Sequence, residues 1–181
     1  MPAYSIYDSI IVDHKLAIQG LNNIMRKAQA HPDADKFLTA RLAPDMLPLA
    51  FQIYAACALG INGAKVLLGE LPDQPPEGGL QACVDAIDSY ESAFAMIEAA
   101  LAKLDSVDRA VAERESQVVK PLIFGMLGEK NLSGQAYAGG LCTPNVPFHV
   151  TTAYAILRSN GVELGKADYM GPFVQQYVMS A

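Results

Sequence analysis

Cysteine is scarce in this chain: three residues, Cys57, Cys83 and Cys142, among 181. An odd count with no C-x-x-C pair excludes a disulfide framework and reads as buried free thiols in a reducing, cytoplasmic setting. Basic residues are also in short supply. Thirteen Lys and Arg against 19 Asp and Glu leave a net charge of −6, which does not suit a phosphate backbone, and no nucleic-acid partner is expected. The N-terminal stretch MPAYSIYDSIIVDHK lacks a basic leader and carries Asp8 and Asp13 within its apolar run, so it does not read as a signal peptide. Apolar runs are broken by polar groups or glycine before they reach the ~20 residues of a bilayer span, and no membrane partner is expected. There is no G-x-S-x-G elbow, H-E-x-x-H pair, dinucleotide fingerprint or phosphate loop, which removes support for a serine hydrolase or a nucleotide-binding protein.

What is abundant is apolar surface with helical spacing. Hydrophobic residues make up 51% of the chain and charged ones 18%, a balance that folds rather than stays disordered. At 181 residues the length suits one domain, 1–181. Tyr7, Ile10, His14, Ala17, Leu21, Ile24 and Ala28 recur in steps of three and four, one face of a long helix that His31-Pro32 ends. His31 itself is expected in a solvent-facing loop, and DADKFLTARL adds a short helical turn. A second long helix is expected from Pro44-Asp45, since proline and a carboxylate suit a first turn. Its stripe is Met46, Leu49, Ile53, Ala56, Gly60, Gly63 and Leu67. Glycine weakens a helix by roughly 1 kcal/mol, so its small-residue face reads as a close approach to a partner helix.

The loop LPDQPPEGG separates this helix from a third stripe, Cys83, Ile87, Tyr90, Phe94, Ile97, Leu101 and Leu104, which predicts one continuous third long helix. The stretch from Asp105 to Leu141 is mixed; VVKPLIFGML followed by GEKN predicts a short hairpin or an irregular excursion, with Pro121 confining it to an edge, and SGQAYAGG a short helix. The last long helix runs from Thr143-Pro144 to Asn160-Gly161. Four amphipathic helices with one long crossover predict an all-α four-helix bundle.

Histidine draws attention because bundle cores assemble metal and ligand sites from facing helices. His14 lies on the inward stripe of the first helix, and His149 lies early in the last among apolar neighbours. Each reads either as a core imidazole bonded to a neighbour or as part of a site. His149 has Asn145 and Ala153 one turn away, so no second histidine sits beside it, whereas zinc needs three or four ligands. Asp45, Gln52 and Cys57 would have to be brought in by the fold. Asp45 also reads as a helix-start carboxylate. Arg158 reads as a structural partner of Asp45 or Asp168 more readily than as an anion site. Thr151, Thr152 or Tyr154 would orient the imidazole, or the threonines would bond back to the preceding turn.

Two stretches, LTARLAPDMLPLAFQI (38–53) and PNVPFHVTTAYAILRSNGVELGKADYMG (144–171), resemble a family of domains of unknown function within the DinB/YfiT-like superfamily of four-helix bundles. The resemblance implies a DinB-like bundle. The superfamily is best known for metalloproteins with a histidine triad, one ligand on the second helix and an H-x-x-x-H pair on a later one, and includes thiol-dependent S-transferases and hydrolase-like members. Here only His149 stands where a late-helix histidine is expected; Ala153 replaces its partner, and the second helix has no histidine. Two functional expectations follow. The first is a core pocket around His149 and Asp45, with His14, Gln52, Tyr154 and Arg158, holding a small molecule or a divalent metal through His149 that would polarise a substrate or activate water. The second is a non-catalytic dimer that binds a ligand or another protein, its tail aromatics Tyr169, Phe173 and Tyr177 forming the interface between two copies.

Overall fold

In the computed structural model, residues 5–123 and 128–179 are described. The first stripe folds as a wide π-helical turn, Tyr7–Val12, running directly into α1 (Asp13–Gln29). A single 3-10 turn, Ala34–Lys36, follows. The helix α2 (Leu49–Leu67) begins later than Pro44-Asp45 suggested, because Pro48 is extended at ψ 172° and serves as the cap. Residues 38–48 fold back instead, so that the Leu49 and Ala50 amides donate to the carbonyls of Ala40 and Leu38 at 2.9 and 3.0 Å. These bonds satisfy two of the amides that a helix start leaves open.

The third stripe is two helices, not one. α3 (Gly79–Asp85) stops short, and α4 (Tyr90–Asp105) restarts at Ser89, whose side chain accepts from the Ser92 amide in a reciprocal capping box. Ile87 stays buried between them, keeping the stripe in phase across the break. α5 (Arg109–Ser116) is capped by Asp108. The expected hairpin is present, β1 (Val119–Ile123) antiparallel to β2 (Glu129–Ser133), with Pro121 opposite Asn131; part of VVKPLIFGML and the start of GEKN lie outside the described residues. SGQAYAGG leads into a second π-helical stretch, Ala136–Cys142, which runs into α6 (Thr143–Ser159). α7 (Lys166–Val174) and a final π turn, Gln175–Met179, complete the described chain.

The helices α1, α2, α4 and α6 form the bundle, and α7 lies along α1. Leu21, Ile24, Ile53, Leu67, Ile97, Leu104, Val150 and Ile156 meet in one core, each at most 1% exposed. The small-residue face of α2 receives α1 as its spacing implied. A methyl on Gly60 would come within 2.7 Å of Ile18 Cδ1, and one on Gly63 within 3.4 Å of His14 Cε1, so the two helices run antiparallel at close range. By length and a mean hydropathy of 1.2, α2 as a whole matches a membrane-crossing helix, although 61% of that window is buried inside the bundle. All three cysteines are free and buried.

The closing signature NGV-LGK-DY-G does structural work. Gly161 takes φ +93° to end α6, and the Val162 amide reaches back to the Leu157 carbonyl at 3.1 Å. Asp168 accepts from the Gly165 amide and pairs with Lys27 of α1, each at 2.8 Å. Tyr169 and Phe173 stack on one another and pack against the core of their own bundle. Of the three tail aromatics read as an interface between copies, Tyr177 is the exposed one.

Candidate functional site

The start of α2 and the middle of α6 meet at His149. Gln52, 4% exposed on α2, donates its amide nitrogen to the Leu47 carbonyl at 3.1 Å, which fixes its oxygen in the opposite direction. That oxygen lies 2.8 Å from His149 Nδ1. An amide oxygen only accepts, so Nδ1 carries the proton and Nε2 presents a bare lone pair. No described residue donates to Nε2, and burial holds the imidazole neutral, its pKa pushed down to about 4. Phe51 and Phe148 stand edge-on to the ring at centroid distances of 5.9 and 5.2 Å. Phe148 is 58% exposed, an unusual place for a phenylalanine and the open wall of the site.

The other candidates fall elsewhere. His14, 1% exposed, faces Thr143 at the first residue of α6. The Thr143 hydroxyl donates its one proton to the Ala138 carbonyl at 3.1 Å and accepts from His14 Nε2 at 3.1 Å. His14 Nδ1 is left as a buried lone pair without a partner, next to Gly63. Burial alone lowers this imidazole to about 4 as well. Gln52 and Gly63 mark the two histidine sites along α2, and eleven residues of helix separate them by about 16 Å. Asp45 is exposed in the turn before α2, away from the helix start it was expected to occupy. Arg158 is exposed, and neither Asp45 nor Asp168 pairs with it; Asp168 takes Lys27 instead. The Tyr154 hydroxyl donates to the Leu164 carbonyl at 3.4 Å, on the α7 side of α6. Thr152 bonds back to the Phe148 carbonyl at 2.8 Å. Gln52 thus orients the imidazole, the role expected of Thr151, Thr152 or Tyr154, and His14, Asp45, Tyr154 and Arg158 are not gathered around His149. His31 is half-buried against Phe37, with ring centroids 5.2 Å apart, and its Nδ1 accepts from the Asp33 amide.

A histidine metal triad does not fit these residues. His149 offers one nitrogen, Ala153 one turn on is fully buried in the core, and α2 brings an amide rather than an imidazole. Among the described residues no three His, Cys, Asp or Glu side chains cluster as a metal would require.

A cleft of about 310 Å³ opens on the other side of Phe51, between α2, α3, α4 and the π-helical stretch before α6. Its walls include Phe51, Tyr54, Ala58, Met96, Tyr137 and Leu141. Sequence reading passed over it. Tyr137 sat in a glycine-rich segment with no periodicity to place it, and Tyr54 lies off the inward stripe of α2.

The helices α1, α2, α4 and α6, with α5 and the hairpin in the long connection before the last of them, make this a helical-bundle protein. Residues 6–170 match the model of a family described as a domain of unknown function, DUF1993, and the chain belongs to that family. It is similar to the crystal structure of a DinB family member protein from Shewanella denitrificans, with 32% identity, 92% of each chain covered and a TM-score of 0.76. The search of curated proteins gave no match.

Proposed function

We propose that this bundle binds a small organic molecule at His149, with the imidazole acting as a fixed hydrogen-bond acceptor for a hydroxyl or N–H group. The observation that carries the reading is the Leu47–Gln52–His149 chain, which sets the tautomer and leaves Nε2 open beside two phenyl rings. A pKa of about 4 keeps that nitrogen unprotonated at neutral pH. The same value sits well below the working range of an efficient general base, which favours binding over catalysis.

Titration with phenol, and with anisole as the donor-less control, tests this by following the His149 Nε2 nitrogen resonance. Phenol is expected to move that resonance saturably while anisole leaves it in place, and the response disappears in His149→Ala. An Nε2 resonance indifferent to phenol, or stoichiometric zinc uptake that depends on His149, would overturn the reading. A homodimer is a second reading. Val174, Val178 and Met179 are 41%, 66% and 70% exposed at the C-terminal end, an apolar patch that a second copy would cover. Sedimentation equilibrium of the wild type and Val178→Asp checks it.

A further inference from the structure

The cleft beyond Phe51 contains a polar group that nothing in the fold uses. Tyr137 is 5% exposed, and among the described residues no hydrogen bond reaches its hydroxyl. The buried polar atom sealed without a partner is His14 Nδ1, so the Tyr137 oxygen is not sealed; the sliver of surface this residue keeps includes it. Tyr137 is one of the residues that line the cleft. A nearly buried phenol hydroxyl with no protein partner is a donor free to meet a ligand. Its pKa is raised, first by burial and then by the nearby Cys142 and Asp73, so at neutral pH it remains a donor.

The rest of the cleft narrows what that donor would meet. Phe51, Tyr54, Met96 and Leu141 supply aromatic and apolar walls, and Ala58 leaves room on the α2 side. Burial first, and then the neighbouring Cys83 thiol, raise the Tyr54 pKa, so its hydroxyl too stays protonated at neutral pH. Asp73 rims the cleft but is ion-paired to Lys65, while its backbone amide and carbonyl are both held by the Asn62 side chain. A carboxylate with its own counter-ion exerts little pull on an ammonium group, and a chain carrying −6 disfavours an anion. The volume, about 310 Å³, is at the small end of the roughly 300–1,000 Å³ that ligand sites occupy.

We propose that this cleft is a second binding site, for a small neutral aromatic compound whose single hydrogen-bond acceptor, such as a carbonyl oxygen, takes the Tyr137 hydroxyl proton. The ring lies among Phe51, Tyr54 and Met96, and the oxygen points toward the π-helical stretch that carries Tyr137. It goes beyond the His149 reading, sharing only Phe51 with it.

Acetophenone is the probe, with ethylbenzene, benzoate and benzylammonium as controls. The readout is the Met96 methyl resonance in protein labelled at its methionine methyls. Acetophenone is expected to shift that resonance saturably, more tightly than any control. Tyr137→Phe keeps the ring and the packing, and it is expected to weaken acetophenone binding roughly three- to tenfold, the worth of one neutral hydrogen bond, while leaving ethylbenzene unchanged. Ala58→Leu, which fills the cleft from α2, is expected to abolish the shift. Equal affinity for ethylbenzene and acetophenone, no loss in Tyr137→Phe, tighter binding of either charged control, or a Met96 methyl that no probe moves would each overturn the proposal. The phenol response of His149 Nε2 is measured separately and does not pass through Tyr137, so either site fails on its own.

Discussion

His149 Nδ1 and Gln52 Oε1 lie 2.8 Å apart, and this contact joins the start of α2 to the middle of α6. Gln52 stands in the first turn of α2, so the bond ties that helix start to α6 and does two things at once. It satisfies a half-buried ring N–H, and it commits the remaining ring nitrogen to the role of acceptor. Leu47 makes the commitment one-way, because its carbonyl holds the Gln52 amide nitrogen and prevents the side chain from flipping.

Replacing Gln52 with leucine keeps most of the volume and removes the acceptor. The His149 proton then has no reason to stay on Nδ1. The expected result is loss of the single Nδ1–H tautomer in nitrogen-detected spectra, with a stability loss of about 1–3 kcal/mol from the N–H and the Leu47 carbonyl left unpaired. A tautomer unchanged in Gln52→Leu would show that something other than this amide sets the ring.

Acid should destabilise the fold through its two neutral imidazoles. His14 and His149 are both pushed down from 6.5 to about 4 in the folded chain. Between those values the unfolded chain binds more protons, so stability is full above pH 6.5 and falls as the pH drops toward 4. For His14, which is buried, the fall amounts to about 3 kcal/mol. Asp8 acts lower on the scale. The Arg109 guanidinium, bonded to both its oxygens at 2.7 Å, holds this carboxyl far below the usual range, and its contribution fades only as the pH drops below about 4. Urea melts of the wild type and His14→Gln across pH 4 to 7 test the first step; equal slopes in the two proteins would remove His14 as its source.

The bundle was legible because each of its helices buries a stripe, and a stripe survives in the sequence whatever else surrounds it. The same logic explains the break it concealed. Ile87 is buried although it lies between α3 and α4, so periodicity counts it as helix, and only the short polar pair Ser89 and Ser92 marks the restart. The start of α2 was misplaced because Pro44 and Asp45 satisfy first-turn chemistry locally, while the choice was made by Leu38 and Ala40 folding back to cap Leu49 and Ala50. His149 and Gln52 were individually visible as inward residues of two helices. Their pairing depends on how α2 and α6 are staggered, which no local pattern encodes. Asp45 and Arg158 were drawn toward the site by chemistry alone, and the fold left both in solvent.

Ser89→Ala tests that restart. Its hydroxyl accepts from the Ser92 amide at 3.1 Å, and the Ser92 hydroxyl accepts from the Ser89 amide at 3.1 Å. Removing the cap should cost about 1 kcal/mol and raise hydrogen exchange at the first amides of α4. Exchange that rises equally in α6 would instead indicate a global effect.

Two glycines that look equivalent in sequence should respond with opposite sign. Both lie inside helices, where glycine is worse than alanine by roughly 0.5–1 kcal/mol. At Gly63 a methyl would sit 3.4 Å from His14 Cε1 and 3.5 Å from Cys142 Cβ, close to ordinary contact, so Gly63→Ala should recover most of that propensity and raise stability by about 0.5 kcal/mol. At Gly20 the methyl would meet the Tyr169 carbonyl oxygen at 2.8 Å. That atom belongs to the backbone of α7, which Lys27 and Asp168 pin to α1, so it cannot turn aside as a side chain would. Gly20→Ala should therefore cost about 1–3 kcal/mol through overpacking and loosen α7, with faster exchange at its amides. If Gly20→Ala were neutral, α7 would be a detachable tail rather than a docked helix, and the closing DY-G signature would need another explanation.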